Sequence, residues 1–333
     1  MKLFYEDKTR KNEVYRLWQQ AFHDPEAFAE YYFAQVYPNN RVMVAVESDR
    51  VCSMIHLNPY RWQWNVNGET KKLLLHYIVG VATEEDQRRK GYMAACMRRV
   101  LQDLSEQGEP FTYLMPAKEE YYEPFRYVTL KRRELRRYEE NRKIDGEEIG
   151  GISMIGTPER TEEYLRRLEM ETACEGGEIL RLEPNGYCAC VPEKRENETV
   201  LVILQLVAQT KCQKQEQLYQ QVLPYLWKRY GNLPVEYMVS QPMMIRITDL
   251  VQFVELLPYE GERLIRDCRV TDPICERNQG SYRIILSKDG CKAERIEDGM
   301  EGCMEVQVPI EELTGWLLAQ THLAEQLYIM EIV

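Results

Sequence analysis

The sequence predicts an α+β (α/β) protein of two or three domains. Val79–Thr83 is an apolar strand, and charged residues lead from it into a helix with one apolar face. Alternating apolar residues and the turn Asn67–Gly68 indicate a meander of strands before it. The glycine-rich stretch Asp145–Gly151 is typical of a linker. A length of 333 residues gives room for more than one core.

The first 140 residues contain a regular succession of predicted elements. Residues 8–37 show an amphipathic, aromatic-rich pattern that Pro25 interrupts, so helices are expected there. Gly108 is expected to end a later helix. The remaining elements are, in order, strands at 41–46, 51–57, 62–66 and 72–81, a helix from 91 to about 107, and strands at 111–115 and 127–138.

The remainder of the chain changes character at about residue 141 and again at about 241. The middle part is predicted to contain a helix from about 158 to 170, strands at 187–191 and 199–207, a helix at 214–230 and a strand at 235–239. Met243–Leu257 is predicted as a strand followed by a helix that Thr248 or Asp249 caps. The last elements are strands at 264–272, 280–287, 292–296 and 304–308 and a helix at 309–318.

Cationic residues and one glycine occupy the turn after Val79–Thr83. Arg88, Arg89, Lys90 and Gly91 lie where the helix is expected to begin. A helix N-terminus leaves backbone N–H groups free and carries partial positive charge, and glycine lets a ligand approach the backbone closely. The turn is therefore a candidate pyrophosphate site. Its spacing alone is a weak signal, because a solvated turn between a strand and a helix looks the same.

This stretch resembles motif A of the GNAT superfamily of N-acetyltransferases, Arg/Gln-x-x-Gly-x-Gly/Ala, in the form Arg88-x-x-Gly91-x-Met93. Met93 departs from the pattern. The order of predicted elements over about 140 residues also resembles the GNAT acetyltransferase fold. The resemblance implies that an acetyl group passes directly from acetyl-CoA to an amine. No covalent enzyme intermediate is needed, so Cys96 has no required role.

The resemblance also implies which residues hold acetyl-CoA. Val81 and Thr83 would pair their backbone with the pantetheine arm, like an added strand. The pyrophosphate would be held, mostly through backbone N–H groups, by Arg88, Arg89, Gly91, Tyr92 and Met93.

A second segment, Tyr121–Tyr127, resembles the family pattern Tyr-x-x-x-Gly-Phe/Tyr. In many family members its tyrosine protonates the departing thiolate of coenzyme A, a task for which a phenol is suited. Tyr122 fits the position best, with Tyr121 as the adjacent competitor. Arg126 stands where the family usually has glycine. A packing role for Tyr122 among the 22 tyrosines is the alternative.

The whole chain resembles the enhanced-intracellular-survival subfamily of these acetyltransferases. The implied domains are 1–140, a GNAT domain; 141–240, a degenerate GNAT-like domain; and 241–333, a sterol-carrier-protein-like α+β domain. Met243–Asp249 and Asp272–Gly280 carry the resemblance of the third domain. The second copy has no glycine in its turn Gln209–Gln215, so we expect it not to bind coenzyme A.

In that subfamily the C-terminal carboxylate reaches back into the first domain and acts as the general base. The corresponding group is the α-carboxylate of Val333, which burial would make more basic. Only Glu331 is charged in the final segment Leu327–Val333, which favours docking over a frayed tail. Members commonly assemble as trimers or hexamers, so a homo-oligomer is implied as well.

Composition restricts the partners. A net charge of −11 argues against nucleic acid and weakly favours a cationic acceptor. No apolar run is long enough to span a membrane, and Met1–Lys8 lacks the core of a signal peptide, so a cytoplasmic protein is predicted. The ten cysteines show no zinc-type spacing, and no metal site is predicted.

The acceptor stays open among small-molecule and peptide amines of the aminoglycoside, polyamine and lysine type. His23 and Glu26 lie near where the family places its acceptor entrance. His76 could line the acceptor site, although a structural histidine fits equally well. The alternative function is a non-catalytic lipid- or ligand-binding protein that uses the sterol-carrier-like domain.

Overall fold

The computed structural model describes residues 1–138, 155–182, 186–208, 215–231, 233–297, 306–327 and 329. Up to residue 138 its helices and strands are β1 (Lys2–Tyr5), α1 (Lys11–Phe22), α2 (Glu26–Tyr31), β2 (Arg41–Glu47), β3 (Arg50–Val66), β4 (Glu69–Thr83), α3 (Tyr92–Glu106), β5 (Phe111–Leu114), β6 (Val128–Lys131) and β7 (Glu134–Tyr138). From residue 155 they are β8 (Gly156–Pro158), α4 (Glu162–Cys174), β9 (Glu178–Leu182), β10 (Gly186–Lys194), β11 (Thr199–Ala208), α5 (Gln215–Tyr230), β12 (Val235–Ser240), β13 (Met243–Ile247), α6 (Leu250–Val254), β14 (Leu264–Thr271), β15 (Gly280–Leu286), β16 (Lys292–Arg295), β17 (Gln307–Pro309) and α7 (Ile310–Thr321).

The first sheet combines strands from distant parts of the sequence. Among the described residues its order is β1-β2-β3-β4-β5-β13-β6, with β8 paired to β3. β13 runs antiparallel to β5 on one side and to β6 on the other. A strand from beyond residue 240 therefore completes the sheet of the N-terminal part.

Helices cover both faces of the first sheet. One face packs against the apolar row of α3, which consists of Cys96, Met97, Val100, Leu101 and Leu104. The other face packs against α1, α7 and the segment after α2, through Trp18, Leu317 and Tyr32 among others. The sheet is therefore buried on both faces, which explains the nearly continuous apolar runs of its central strands.

The second and third sheets attach to this unit in different ways. The second, in the order β7-β12-β11-β10-β9, packs against α5. Its succession β9-β10-β11-α5-β12 repeats that of β2-β3-β4-α3-β5, with a parallel strand after the helix in both. The third, in the order β16-β15-β14-β17, places Tyr282, Ile284 and Leu286 in the same core as the first sheet.

The α+β fold class is confirmed, while some elements differ from the prediction and one open alternative is resolved. The single strand predicted at 127–138 is wrong, because β6 ends at Lys131 and β7 begins at Glu134 in a different sheet. β1 was not predicted, since four residues are too short for a period-two pattern. Of the two proposed caps of α6, Asp249 is the one used, and it accepts the N–H of Gln252 at 3.1 Å.

The division into domains at 140 and 240 stays a prediction. Sheet pairing crosses both limits, because β7 pairs with β12 in the second sheet and β13 lies in the first. The linker Asp145–Gly151 and residues 209–214 of the second turn lie outside the described residues. Within the described ranges, no helix is both long enough and apolar enough to cross a membrane.

Candidate active site

A bulge at Gly80 bends β4 near its end. Met54 pairs with Ala82 and His56 with Val79, so two residues of β4 lie opposite one of β3. Gly80 has a φ of +57°, and a Cβ there would lie 2.5 Å from Cζ3 of Trp18. Both the backbone conformation and the lack of space require glycine at this point.

Beyond the bulge, β4 and β5 separate. Their parallel pairing covers only Tyr77 with Tyr113 and Ile78 with Leu114, whereas β4 continues to Thr83. In the part of the chain that the structure describes, residues 79–83 have a strand partner on the β3 side alone. The other edge of this segment, which includes Val81 and Thr83, can therefore pair with an extended ligand.

The turn after β4 is held by a buried carboxylate. Glu84 lies 2.9 Å from Nη2 of Arg50 and 3.3 Å from Nη2 of Arg16. Arg88, which is exposed, donates from Nε to the carbonyl of Thr83 at 3.3 Å. The ion pairs hold the turn at the end of the strand, so the cations that follow it stay beside the opened edge.

Left-handed residues end this turn and begin α3. Arg89 has a φ of +62° and Gly91 a φ of +86°, and Gly91 is the N-cap without a side-chain hydrogen bond. A Cβ on Gly91 would meet no atom within 4 Å, so its conformation and not lack of space requires glycine. Tyr92 and Met93 form the first turn of α3, whose N–H groups have no partner within the helix. The predicted phosphate-binding residues thus form one continuous rim next to Val81 and Thr83.

Tyr122 lies between two short 3-10 turns after β5 and is 6% exposed. Its side chain belongs to the same apolar cluster as Val81, Tyr92 and Met93. Burial, with a smaller contribution from Tyr121, raises the pKa of Tyr122 to about 12. Tyr121 is 54% exposed. Tyr122 is therefore buried in the cluster against which these predicted cofactor residues pack, whereas Tyr121 is exposed.

Arg126, at the position of the family glycine, has a φ of +68°. The backbone there is in the left-handed region that glycine favours. The departure from the motif thus preserves the backbone form of the turn.

Val333, the predicted base, lies outside the described residues. The chain leading towards it is docked. Leu327 pairs with Gly156, and its carbonyl accepts a hydrogen bond from Nζ of Lys131. Ile329 is buried in the main core. Burial lowers the pKa of Lys131 to about 8.

A cavity of about 400 Å³ lies between the opened end of the first sheet and the second sheet. Its lining includes Met115, which follows β5, the acidic residues Glu175 and Glu193, and the basic residue Arg133. Burial raises the pKa of Glu175, and the carboxylates of Asp24 and Glu193 raise it further. A cation bound beside Glu175 would favour the ionised form of its carboxyl group. Sequence patterns gave no sign of this cavity, because its walls come from separate segments.

Trp18 packs against the bulge and is held by Asp24. Its ring contacts the position of Gly80, and its Nε1 donates to Asp24 at 3.0 Å. His56 also packs against Gly80 and is fully buried. The Nδ1 atom of His56 lies 2.8 Å from the hydroxyl of Tyr32, while Nε2 has no partner among the described residues. Burial, then the charge of Lys8, lowers the pKa of His56 to about 3, so the imidazole is neutral.

The histidines considered from the sequence lie elsewhere. His76 is buried, with Nδ1 2.7 Å from Glu109, which also accepts the backbone N–H of His76. This is a structural pairing. His23 is the exposed, left-handed C-cap of α1, and Glu26 is the exposed first residue of α2. Burial raises the pKa of Cys96 to about 12, which makes it a poor nucleophile.

The chain resembles known proteins in the sequence of its N-terminal part and in its fold. Residues 6–129 match the family model of the acetyltransferase (GNAT) domain. A search of curated proteins found no significant match. Among solved structures, a conserved protein of unknown function from Enterococcus faecalis V583, described as a probable N-acyltransferase, has a TM-score of 0.69 at 15% identity, with coverage of 98% of this chain and 97% of the other.

Two further structures agree along most of the chain. A GCN5-related N-acetyltransferase from Anabaena variabilis has a TM-score of 0.68 at 15% identity and covers 99% and 97% of the two chains. Eis1 from Mycobacterium abscessus has a TM-score of 0.66 at 14% identity and covers 94% and 88%. At such identities the likeness concerns the fold. The residues matched by the family model, by contrast, include the opened strand edge, the cationic turn and the tyrosine turn. Residues 6–129 of this chain therefore form a GNAT acetyltransferase domain.

Proposed function

We propose that the chain transfers an acetyl group from acetyl-CoA to a primary amine. The observation that carries this proposal is the opened edge of β4, which ends at the left-handed turn of Gly91 and the free N-terminus of α3. An extended pantetheine arm can pair with such an edge, and a pyrophosphate fits a helix N-terminus with nearby cations. Acetyl-CoA supplies an activated thioester, and the residues of the chain bind it and move protons.

Two parts of the site would bind acetyl-CoA. The backbone of Val81 and Thr83 would hold the pantetheine arm. The N–H groups of the α3 N-terminus, with the exposed cations of the turn, would neutralise the pyrophosphate. The residues assigned to this second part are Arg88, Arg89, Gly91, Tyr92 and Met93.

Tyr122 would act as the general acid. The amine attacks the thioester carbonyl, the C–S bond breaks, and the phenol donates its proton to the departing thiolate. A pKa of about 12 supports this role, because it keeps the phenol protonated at neutral pH. Its place in one cluster with Val81 and Tyr92 also supports it.

The α-carboxylate of Val333 would accept the proton that the acceptor ammonium must lose before attack. Support comes from the docked segment before it, which is fixed by Lys131 at Leu327 and by the burial of Ile329. Four residues separate Ile329 from the terminus, a reach of up to about 13 Å. Lys131 is the last residue of β6, which pairs with β13. Arg133, two residues later, lines the cavity.

The acceptor would enter through the cavity beside Met115. Arg133 also lines this cavity, and Glu193 pairs with Arg195 at 3.0 Å. Glu175 is therefore the carboxylate that supports a cationic acceptor of the aminoglycoside, polyamine or lysine type. The alternative of a lipid-binding protein has less support. Tyr282, Leu286 and Leu317 of the C-terminal part are used in the core shared with the first sheet. A cytoplasmic location, predicted from the sequence, and a trimeric or hexameric homo-oligomer, which rests on the resemblance alone, complete the proposal.

Titration of acetyl-CoA by calorimetry tests the proposal. We expect micromolar binding to the wild type and its loss in Arg88→Ala/Gly91→Asp. The matched control is Lys228→Ala/Gly231→Asp, which changes an exposed lysine and a left-handed glycine whose added Cβ would also meet no atom within 4 Å. This control should bind as the wild type does. Absence of binding to the wild type would exclude the proposed function.

A further inference from the structure

The turn that carries Tyr122 is closed by its own backbone. The N–H of Phe125 donates to the carbonyl of Tyr122 at 2.9 Å, and the N–H of Tyr127 does so at 3.5 Å. These N–H groups belong to the peptides on either side of the Phe125–Arg126 peptide, whose own N–H donates to the carbonyl of Glu123 at 2.9 Å. The orientation of the Phe125–Arg126 peptide is therefore coupled to the backbone of Tyr122, from which the phenol projects.

A buried arginine of β13 holds that peptide from one side. Arg246 is fully buried, and its Nε donates to the carbonyl of Phe125 at 2.9 Å. Its Nη2 lies 2.7 Å from both carboxylate oxygens of Asp272, which is also fully buried. The guanidinium thus connects the tyrosine turn to a loop of the C-terminal third.

Asp272 has the additional partners that a buried carboxylate requires. It accepts the backbone N–H groups of Ile274 and Cys275 at 3.0 Å each, and Nδ2 of Asn278 at 2.9 Å. A buried ion pair is rigid when its remaining hydrogen-bonding capacity is satisfied in this way. Met243–Asp249 and Asp272–Gly280, the two segments that carry the sequence resemblance of the third domain, are therefore joined by one hydrogen-bond network.

A second ion pair holds the turn from the other side. Arg126 pairs with Glu311 in the first turn of α7, and both side chains are partly buried. α7 also packs against β6 and β13, the two strands beside the turn. β13 and α7, both in the C-terminal third, therefore bind two adjacent residues of the tyrosine turn, Phe125 and Arg126.

We propose that Arg246 and Glu311 are positioning residues for Tyr122, so that the C-terminal third orients the acid of the first domain. The inference rests on the proposed role of Tyr122. Neither Arg246 nor Glu311 is proposed to contact the substrates. Both act by fixing the Phe125–Arg126 peptide, and misplacement by about 1 Å lowers a rate strongly.

The test is a double-mutant cycle in steady-state acetyl transfer. Glu311→Gln removes the charge and keeps the shape, and Glu312→Gln, an exposed residue of the same helical turn, is the matched control. Each is measured in the wild type and in Tyr122→Phe. We expect Tyr122→Phe to lower kcat about 100-fold. Glu311→Gln should lower kcat about tenfold, with the KM for acetyl-CoA within about twofold of wild type. Glu312→Gln should change neither.

The cycle separates the positioning role from a general structural one. If Glu311 acts through the phenol, Glu311→Gln causes no further loss in Tyr122→Phe. An equal loss in both backgrounds, or no loss in the wild type, overturns the inference. If Tyr122→Phe is itself as active as the wild type, the proposed acid fails first, which is a distinct result. Arg246→Lys, which keeps the charge but loses the planar fork, should repeat the Glu311→Gln pattern when it folds.

Discussion

His56 lies in surroundings that are unusual for a histidine. It is surrounded by Trp18, Tyr32, Phe33 and Tyr37 and packs against the bulge of β4. Nothing in the local sequence distinguishes it from other strand residues. Its burial results from the helices at the start of the chain, which cover this face of the sheet.

This burial predicts a specific loss of stability in acid. Burial lowers the pKa of His56 to about 3, whereas an unfolded histidine has a pKa near 6.5. Below about pH 6.5 the unfolded chain binds a proton that the folded chain does not, so stability falls as the pH falls. Between pH 7.5 and 5 this amounts to about 2 kcal/mol.

Urea unfolding at the two pH values measures the effect. His56→Gln should lack this part of the pH dependence, while His322→Gln, at an exposed histidine, should keep it. Equal pH dependence in His56→Gln and the wild type would contradict the assignment of the lowered pKa to His56.

At the scale of elements, the described part of the C-terminal segment is attached to the rest of the protein through Leu327 and Ile329. Leu327 pairs with Gly156, Lys131 donates to its carbonyl, and Ile329 enters the core. These contacts hold the segment independently of residues 330–333. The segment can therefore be shortened without loss of its anchor.

Deletion of residues 330–333 is predicted to separate activity from stability. The anchors at Leu327 and Ile329 remain, so the melting temperature should change by only a few degrees. The proposed base is lost, and kcat should fall about 100-fold. A variant with one glycine added after Val333 is the control, because it keeps a carboxylate but moves it by about 3.5 Å. Full activity of the deleted chain would exclude the carboxylate as the base.

Elements with a local signal could be predicted, and those that depend on distant pairing could not. The strand, turn and helix around Gly91 follow from apolar periodicity and one glycine, and the structure has all three. The break between Lys131 and Glu134 was missed, because the sequence stays strand-like while the chain passes to another sheet. The place of β13 between β5 and β6 has no local signal. Nor does the cavity at Glu175, whose walls come from both sheets.

At the scale of the whole molecule, the first sheet cannot be completed by the first 138 residues. β5 and β6 do not pair with each other, and β13 lies between them. The core of this sheet also continues into the third sheet and α7. The sheet and core of the N-terminal part are therefore shared with later segments of the chain, although residues 6–129 match a domain family.

A fragment of residues 1–138 is predicted not to fold cooperatively. It lacks the hydrogen bonds of β13 to both neighbours and the guanidinium of Arg246 that holds Phe125. Its thermal unfolding followed by circular dichroism should be broad, and it should not bind acetyl-CoA. Addition of residues 139–333 as a separate chain should restore a sharp transition. A fragment that unfolds sharply alone would show that β13 is dispensable.

The position of β13 also has a consequence for biosynthesis. Between Leu114 of β5 and Met243 of β13 the ribosome adds 129 residues, which takes roughly 6 to 26 s at ordinary elongation rates. During this interval the nascent chain exposes an unpaired strand edge, to which another nascent chain could add. Slow translation or an occupied chaperone should therefore affect the yield of this protein more than that of a single-sheet domain whose strands emerge in succession.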